Sequence, residues 1–94
     1  MSEGSLQRYF KRQAKTHGVF WVKVQAVGQR GFPDVLIAYG GKLALVELKN
    51  PNKKGRLSKL QERQIKKLTD AGIAAQVIDS REDIDTLIRS LTHL

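Results

Sequence analysis

Asp34 and Glu47 stand with twelve residues between them, and Lys49 follows Glu47 after one intervening leucine. Two carboxylates and an ammonium can hold a hard cation and steady the charge that develops at a reacting phosphate, provided that the chain brings them together. It has a means to do so. The apolar runs Val35 to Tyr39 and Lys42 to Leu48 flank Gly40-Gly41, a pair suited to a two-residue hairpin turn. Such a turn pairs Tyr39 with Lys42, and the same register carried to the far end of the hairpin sets Asp34 opposite Glu47. Opposed side chains in a ladder have Cβ atoms about 5 Å apart, close enough for two carboxylates to repel. Side chains alternate along a strand, so Glu47 and Lys49 share a face, which puts a positive charge beside the pair.

A surface salt-bridge cluster at a strand end is the competing account of these charges, contributing about 0–1 kcal/mol. The apolar run KLALV ahead of Glu47 speaks against it, because that run implies partial burial. An unpaired carboxylate there would cost several kcal/mol in lost hydration. A divalent cation offsets that cost. With no cysteine in the chain, and His17 and His93 in no ligand spacing, any metal must be held by oxygen, which suits Mg²⁺.

The elements that would position this cluster follow from apolar spacing and from Gly and Pro punctuation. Leu6, Phe10, Ala14 and His17 recur at helical intervals, with Ser2 or Ser5 as cap and Gly18 as stop. Val19 to Gln25 is β-branched and aromatic, and precedes the Gly/Arg loop AVGQRGFP. After the hairpin come a helix over Leu57 to Ala71, a strand over Ala74 to Ile78 and an amphipathic helix over Ser80 to Leu91. The order is αβββαβα. A strand, a helix and a strand in succession imply a crossover to a parallel neighbour, so the fold class is α/β (α+β), a mixed central sheet flanked by helices. The hairpin's second strand, apolar on both pleat faces, should run through its middle.

The chain has 94 residues, 40% of them apolar and 28% charged, so residues 1–94 are expected to form one domain, which excludes a two-domain enzyme. No apolar stretch approaches a membrane span and the N-terminus has no signal-peptide core; a soluble cytoplasmic protein is expected. Seventeen Lys and Arg against nine Asp and Glu give a net charge of +8, which points to a polyanionic partner, nucleic acid first. Eight of these cations lie between Lys49 and Lys67 against the single acid Glu62. Lys53, Lys54 and Arg56 in the loop PNKKGR, with Arg30 on the Gly/Arg loop, are the candidate phosphate contacts.

Pro33-Asp34 followed after twelve residues by Glu47-Leu48-Lys49 resembles the PD-(D/E)xK nuclease motif. The segments GFPD, VELK and LSKLQ, with Glu3 near the start, are together similar to the VRR-NUC (virus-type replication-repair nuclease) domain family, over nearly the whole chain. The resemblance implies a restriction-endonuclease-like core and magnesium-dependent phosphodiester hydrolysis on structured DNA, with Mn²⁺ able to substitute. It makes Asp34, Glu47 and Glu3 metal-binding acids, adds the Leu48 backbone carbonyl as a ligand, and gives Lys49 the orientation or activation of the attacking water. It also marks Gln61 as a catalytic-site residue. The residue pattern leaves Gln61 and Gln64 equivalent on one helix face, and Ser58-x-x-Gln61 also reads as a capping box.

Small stand-alone members resemble Holliday junction resolvases, which implies a homodimer that supplies two cuts; Tyr9, Phe20, Trp21 and Phe32 are candidates for its interface. A flap or nicking endonuclease of the same fold, and a non-catalytic basic nucleic-acid-binding module, are the alternatives.

Overall fold

The computed structural model of the chain describes residues 3–50 and 57–93. Their order is α1 (Glu3–Thr16), β1 (Phe20–Lys23), β2 (Val35–Tyr39), β3 (Lys42–Leu48), α2 (Lys59–Asp70), β4 (Ala74–Ile78) and α3 (Arg81–Thr92), the expected αβββαβα. The strands lie side by side as β1-β2-β3-β4. The first two pairings are antiparallel and β3 with β4 is parallel, so the sheet is mixed, with β3 inside it.

The hairpin forms as its glycines require. Gly40 and Gly41 both take positive φ, 56° and 80°, which fits the mirror-image turn that joins right-twisted strands. Tyr39 pairs with Lys42, and the ladder runs back to Val35 against Val46. The first strand is shorter than its composition suggests. Pairing covers only Phe20–Lys23; Val19 is buried just ahead of it, and Val24 and Gln25 belong to the loop. β-Branched side chains favour extended backbone, but the neighbour that completes the ladder ends at Val35.

One sheet face carries the core. Leu6, Phe10 and Ala14 of α1 and Ile84, Leu87, Ile88 and Leu91 of α3 pack on Val35, Ile37, Ala44, Val46, Leu48 and Ile78. Tyr9 ties the two helices together, its hydroxyl donating to Asp85 Oδ1 at 2.7 Å, a bond that raises the phenol's pKa above its ordinary value. Leu43, Leu45 and Glu47 point to the opposite face, where α2 lies against β4. The domain is thus three-layered. None of α2's residues is buried, so this second layer is thin and leaves open the part of the face around Phe20 of β1 and Leu43 at the start of β3. Of the four aromatic interface candidates, only Phe20 is exposed. Trp21 packs edge-to-face on Phe10 at 6.1 Å, Tyr9 packs against the core, and Phe32 is half-buried. No helix among the described residues is long and apolar enough to cross a membrane.

Candidate active site

The hairpin splays open at the end opposite its turn, and the candidate acids sit at the opening. Backbone pairing of β2 with β3 stops at Val35 and Val46. One residue further out, the Asp34 main chain turns to β1, its carbonyl accepting from Val24 N at 2.8 Å, while its side chain reaches toward β3. Asp34 Oδ1 accepts from Leu48 N at 3.1 Å. A carboxylate therefore takes the place of the next ladder bond, and the peptide that follows Glu47 is tied directly to Asp34. The expected Asp34–Glu47 pair lies one residue beyond the last paired one, and each carboxylate has a donor of its own, Leu48 N for Asp34 and Gln61 Nε2 for Glu47.

Glu47 is the only charged residue among the described ones that is buried, at 8% exposure. Its position follows from the strand: β3 is buried from Ala44 onward, and alternation turns Glu47 away from the core toward α2. There Gln61 Nε2 donates to Glu47 Oε2 at 3.1 Å, and Lys49 Nζ lies 3.8 Å from the same oxygen. Lys49 Nζ also donates to Gln61 Oε1 at 2.8 Å, so one amide bridges the carboxylate and the ammonium.

The same amide caps the helix. Gln61 Oε1 accepts from Ser58 N at 3.0 Å and Ser58 Oγ accepts from Gln61 N at 3.1 Å, a complete capping box. The cap and the contact with Glu47 and Lys49, alternatives by sequence, belong to one amide. The amide's orientation is fixed, because Oε1 meets two donors and Nε2 an acceptor. Gln64 goes elsewhere: its Nε2 donates to Gln29 Oε1 at 3.3 Å and to the Arg30 carbonyl at 3.2 Å, clamping the β1–β2 loop to α2. Gly31 completes the clamp. With φ at +80°, a Cβ there would lie 2.8 Å from the Leu60 carbonyl carbon and 2.9 Å from Gln61 N.

Two expected outcomes follow. Gly31→Ala should lower stability by about 2 kcal/mol or more in urea unfolding, since it combines left-handed strain with a backbone clash. Gln61→Ala should cost about 1 kcal/mol through the lost cap and slow cleavage by about tenfold to a hundredfold through the freed lysine. Stability loss with unchanged initial cleavage rate would make Gln61 a cap alone.

Asp34, Glu47, Lys49 and Gln61 are brought together, and the Leu48 peptide joins them. Glu3 opens α1, one turn before Gln7, and its side chain lies outside the described residues. Arg30 is exposed on the loop clamped by Gln64. Lys53, Lys54 and Arg56 lie outside the described residues. Among the described residues no three His, Cys, Asp or Glu side chains form a metal-holding group. Two carboxylates and a main-chain carbonyl are nonetheless a donor set of hard oxygens, which fits Mg²⁺ and not a soft metal.

Lys23, which no motif marks, also reaches Asp34. Its Nζ lies 2.9 Å from Asp34 Oδ2 and donates to Gln7 Oε1 at 2.9 Å. The signal was present in the pairing of Lys23 with Val35, one residue from Asp34, but the intervening loop hides that register.

One acid just ahead of β2, one near the end of β3 and a lysine two residues past the second match the PD-(D/E)xK pattern, the nuclease type that the family match below implies. The model of the VRR-NUC domain matches residues 2–82, and the chain belongs to the VRR-NUC family. A solved structure described as a "VRR_NUC domain" is 27% identical, with a TM-score of 0.82 over 93% of this chain and 94% of that one. No curated protein matches the sequence. Membership makes the chain a nuclease domain, with DNA as the implied substrate, of a type that usually uses divalent metals.

Proposed function

We propose that residues 1–94 form a single-domain, magnesium-dependent, structure-specific DNA endonuclease that resolves four-way (Holliday) junctions as a homodimer. The observation that carries the catalytic part is the Glu47–Gln61–Lys49 bridge beside an Asp34 bonded to the Leu48 peptide. Asp34 and Glu47, with the Leu48 carbonyl and Glu3, would hold the cation, which supplies Lewis-acid stabilisation and a lowered pKa for bound water.

The chain's own groups do the rest. Glu47, largely shielded from solvent, offers its carboxylate oxygens in a place where few waters compete for a bound cation. Lys49, positioned by a neutral amide, presents its ammonium to the water and to the charge that builds on the phosphoryl oxygens. Being held before substrate arrives, it needs no reorganisation during reaction. Arg30, Lys53, Lys54 and Arg56 are proposed to contact flanking phosphates. Such contacts fix register without reading sequence, which suits recognition by DNA shape.

One domain holds one copy of Asp34, Glu47 and Lys49, while resolution needs two symmetric cuts. A two-fold dimer supplies both. The open sheet face around Phe20 and Leu43 offers apolar surface for assembly. Cleavage of labelled four-way, flap and linear duplex DNA, with sedimentation at assay concentration, tests the proposal. Paired cuts by a dimer are expected; a monomer that nicks flaps and ignores four-way junctions would overturn the resolvase assignment and leave the nuclease.

A further inference from the structure

Lys23 occupies a position that a divalent cation on Asp34 would contest. Asp34 Oδ1 is committed to Leu48 N at 3.1 Å, and Oδ2 is the oxygen that Lys23 Nζ meets at 2.9 Å. An ammonium and a dication drawn to one carboxylate repel each other strongly at such range. One of the partners must yield, and the geometry decides which. Asp34 is pinned through its carbonyl to Val24 N at 2.8 Å and through its side chain to Leu48 N. Lys23 is attached by a flexible stem, and its side chain is 45% exposed. Exposed ion pairs of this kind contribute little, so release is cheap. Lys49 differs: its side chain is 21% exposed and Gln61 holds it. A released Lys23 stands at the edge of a site whose substrate is a polyanion, where a phosphate oxygen is the natural acceptor.

We propose that Lys23 is an exchange cation, bound to Asp34 and Gln7 before the metal arrives and transferred to a DNA phosphate once the metal is bound. This rests on Asp34 being a metal ligand. Its test separates the two ideas. Mn²⁺ binding to the whole chain, followed by electron paramagnetic resonance without DNA, should be about threefold to tenfold tighter for Lys23→Met than for wild type, because a competing charge is gone. Lys23→Gln, which keeps a polar side chain, should behave in the same direction. DNA binding measured in Ca²⁺ against salt concentration should lose about one unit of slope in both variants. Circular dichroism confirms that the variants fold. Equal or weaker Mn²⁺ binding by the variants, or an unchanged salt slope, overturns the exchange. Failure of wild type itself to bind Mn²⁺ would remove Asp34's metal role, and the exchange with it.

Discussion

Asp34→Asn and Glu47→Gln should each slow DNA cleavage by at least about a thousandfold while leaving the domain folded. Both substitutions keep shape and remove one negative charge. Asparagine retains an oxygen that can accept from Leu48 N, the bond Asp34 Oδ1 makes at 3.1 Å, so the strand junction survives. Asp34→Ala would not be so mild. It strips that partner from the Leu48 amide at a part-buried position and should cost about 1–3 kcal/mol. Two bare acids facing each other across a ladder suggest the opposite, that deleting either relieves repulsion and stabilises the sheet. The hydrogen bonds that Leu48 N and Gln61 Nε2 donate to the two carboxylates reverse that expectation. Circular dichroism, urea midpoints and initial cleavage rates distinguish the effects, and a wild-type rate from either isosteric variant would take that acid out of the mechanism.

Lys49→Met should lower the cleavage rate by about a hundredfold to a thousandfold and change DNA affinity little. The charge is single, partly shielded and held by Gln61 beside the Glu47 carboxylate, so it is expected to act on one phosphate and not along the backbone. Lys53→Ala with Lys54→Ala should show the reverse pattern, weakening binding and reducing the salt slope by about two, since backbone contacts release counterions. Rates at saturating DNA, measured beside affinity over a salt series, separate the two. A Lys49→Met variant that loses affinity in step with the double lysine variant would make Lys49 one more phosphate contact.

Much of this arrangement is written in short-range features. The Gly40-Gly41 turn sets the whole β2–β3 register, because a two-residue loop allows one pairing and alternation does the rest. Ser58 and Ser80 announce the starts of α2 and α3, each accepting from the third residue on. Gly72, with φ at 87°, stands just past the end of α2. What the sequence conceals depends on contacts across long separations. The 34-residue span between Gln64 and the Arg30 carbonyl leaves no periodic trace, nor does the 16-residue span between Gln7 and Lys23. The extent of β1 depends on where its partner begins. Gln61 shows a different limit: a capping box is visible in four residues, but the same amide reaching Glu47 and Lys49 becomes visible only when the start of α2 meets the end of β3.

Asp34, Glu47 and Lys49 are proposed to run a metal-dependent cleavage of DNA together. The most direct test of that proposal is the initial rate of four-way-junction cleavage as Mg²⁺ is titrated into metal-free protein, with Asp34→Asn in parallel. The expected result is no cleavage in EDTA, a rate that rises and saturates with Mg²⁺ for wild type, and none for the variant at any concentration. Cleavage that persists in EDTA, or an Asp34→Asn rate that climbs with Mg²⁺ as wild type does, would contradict it.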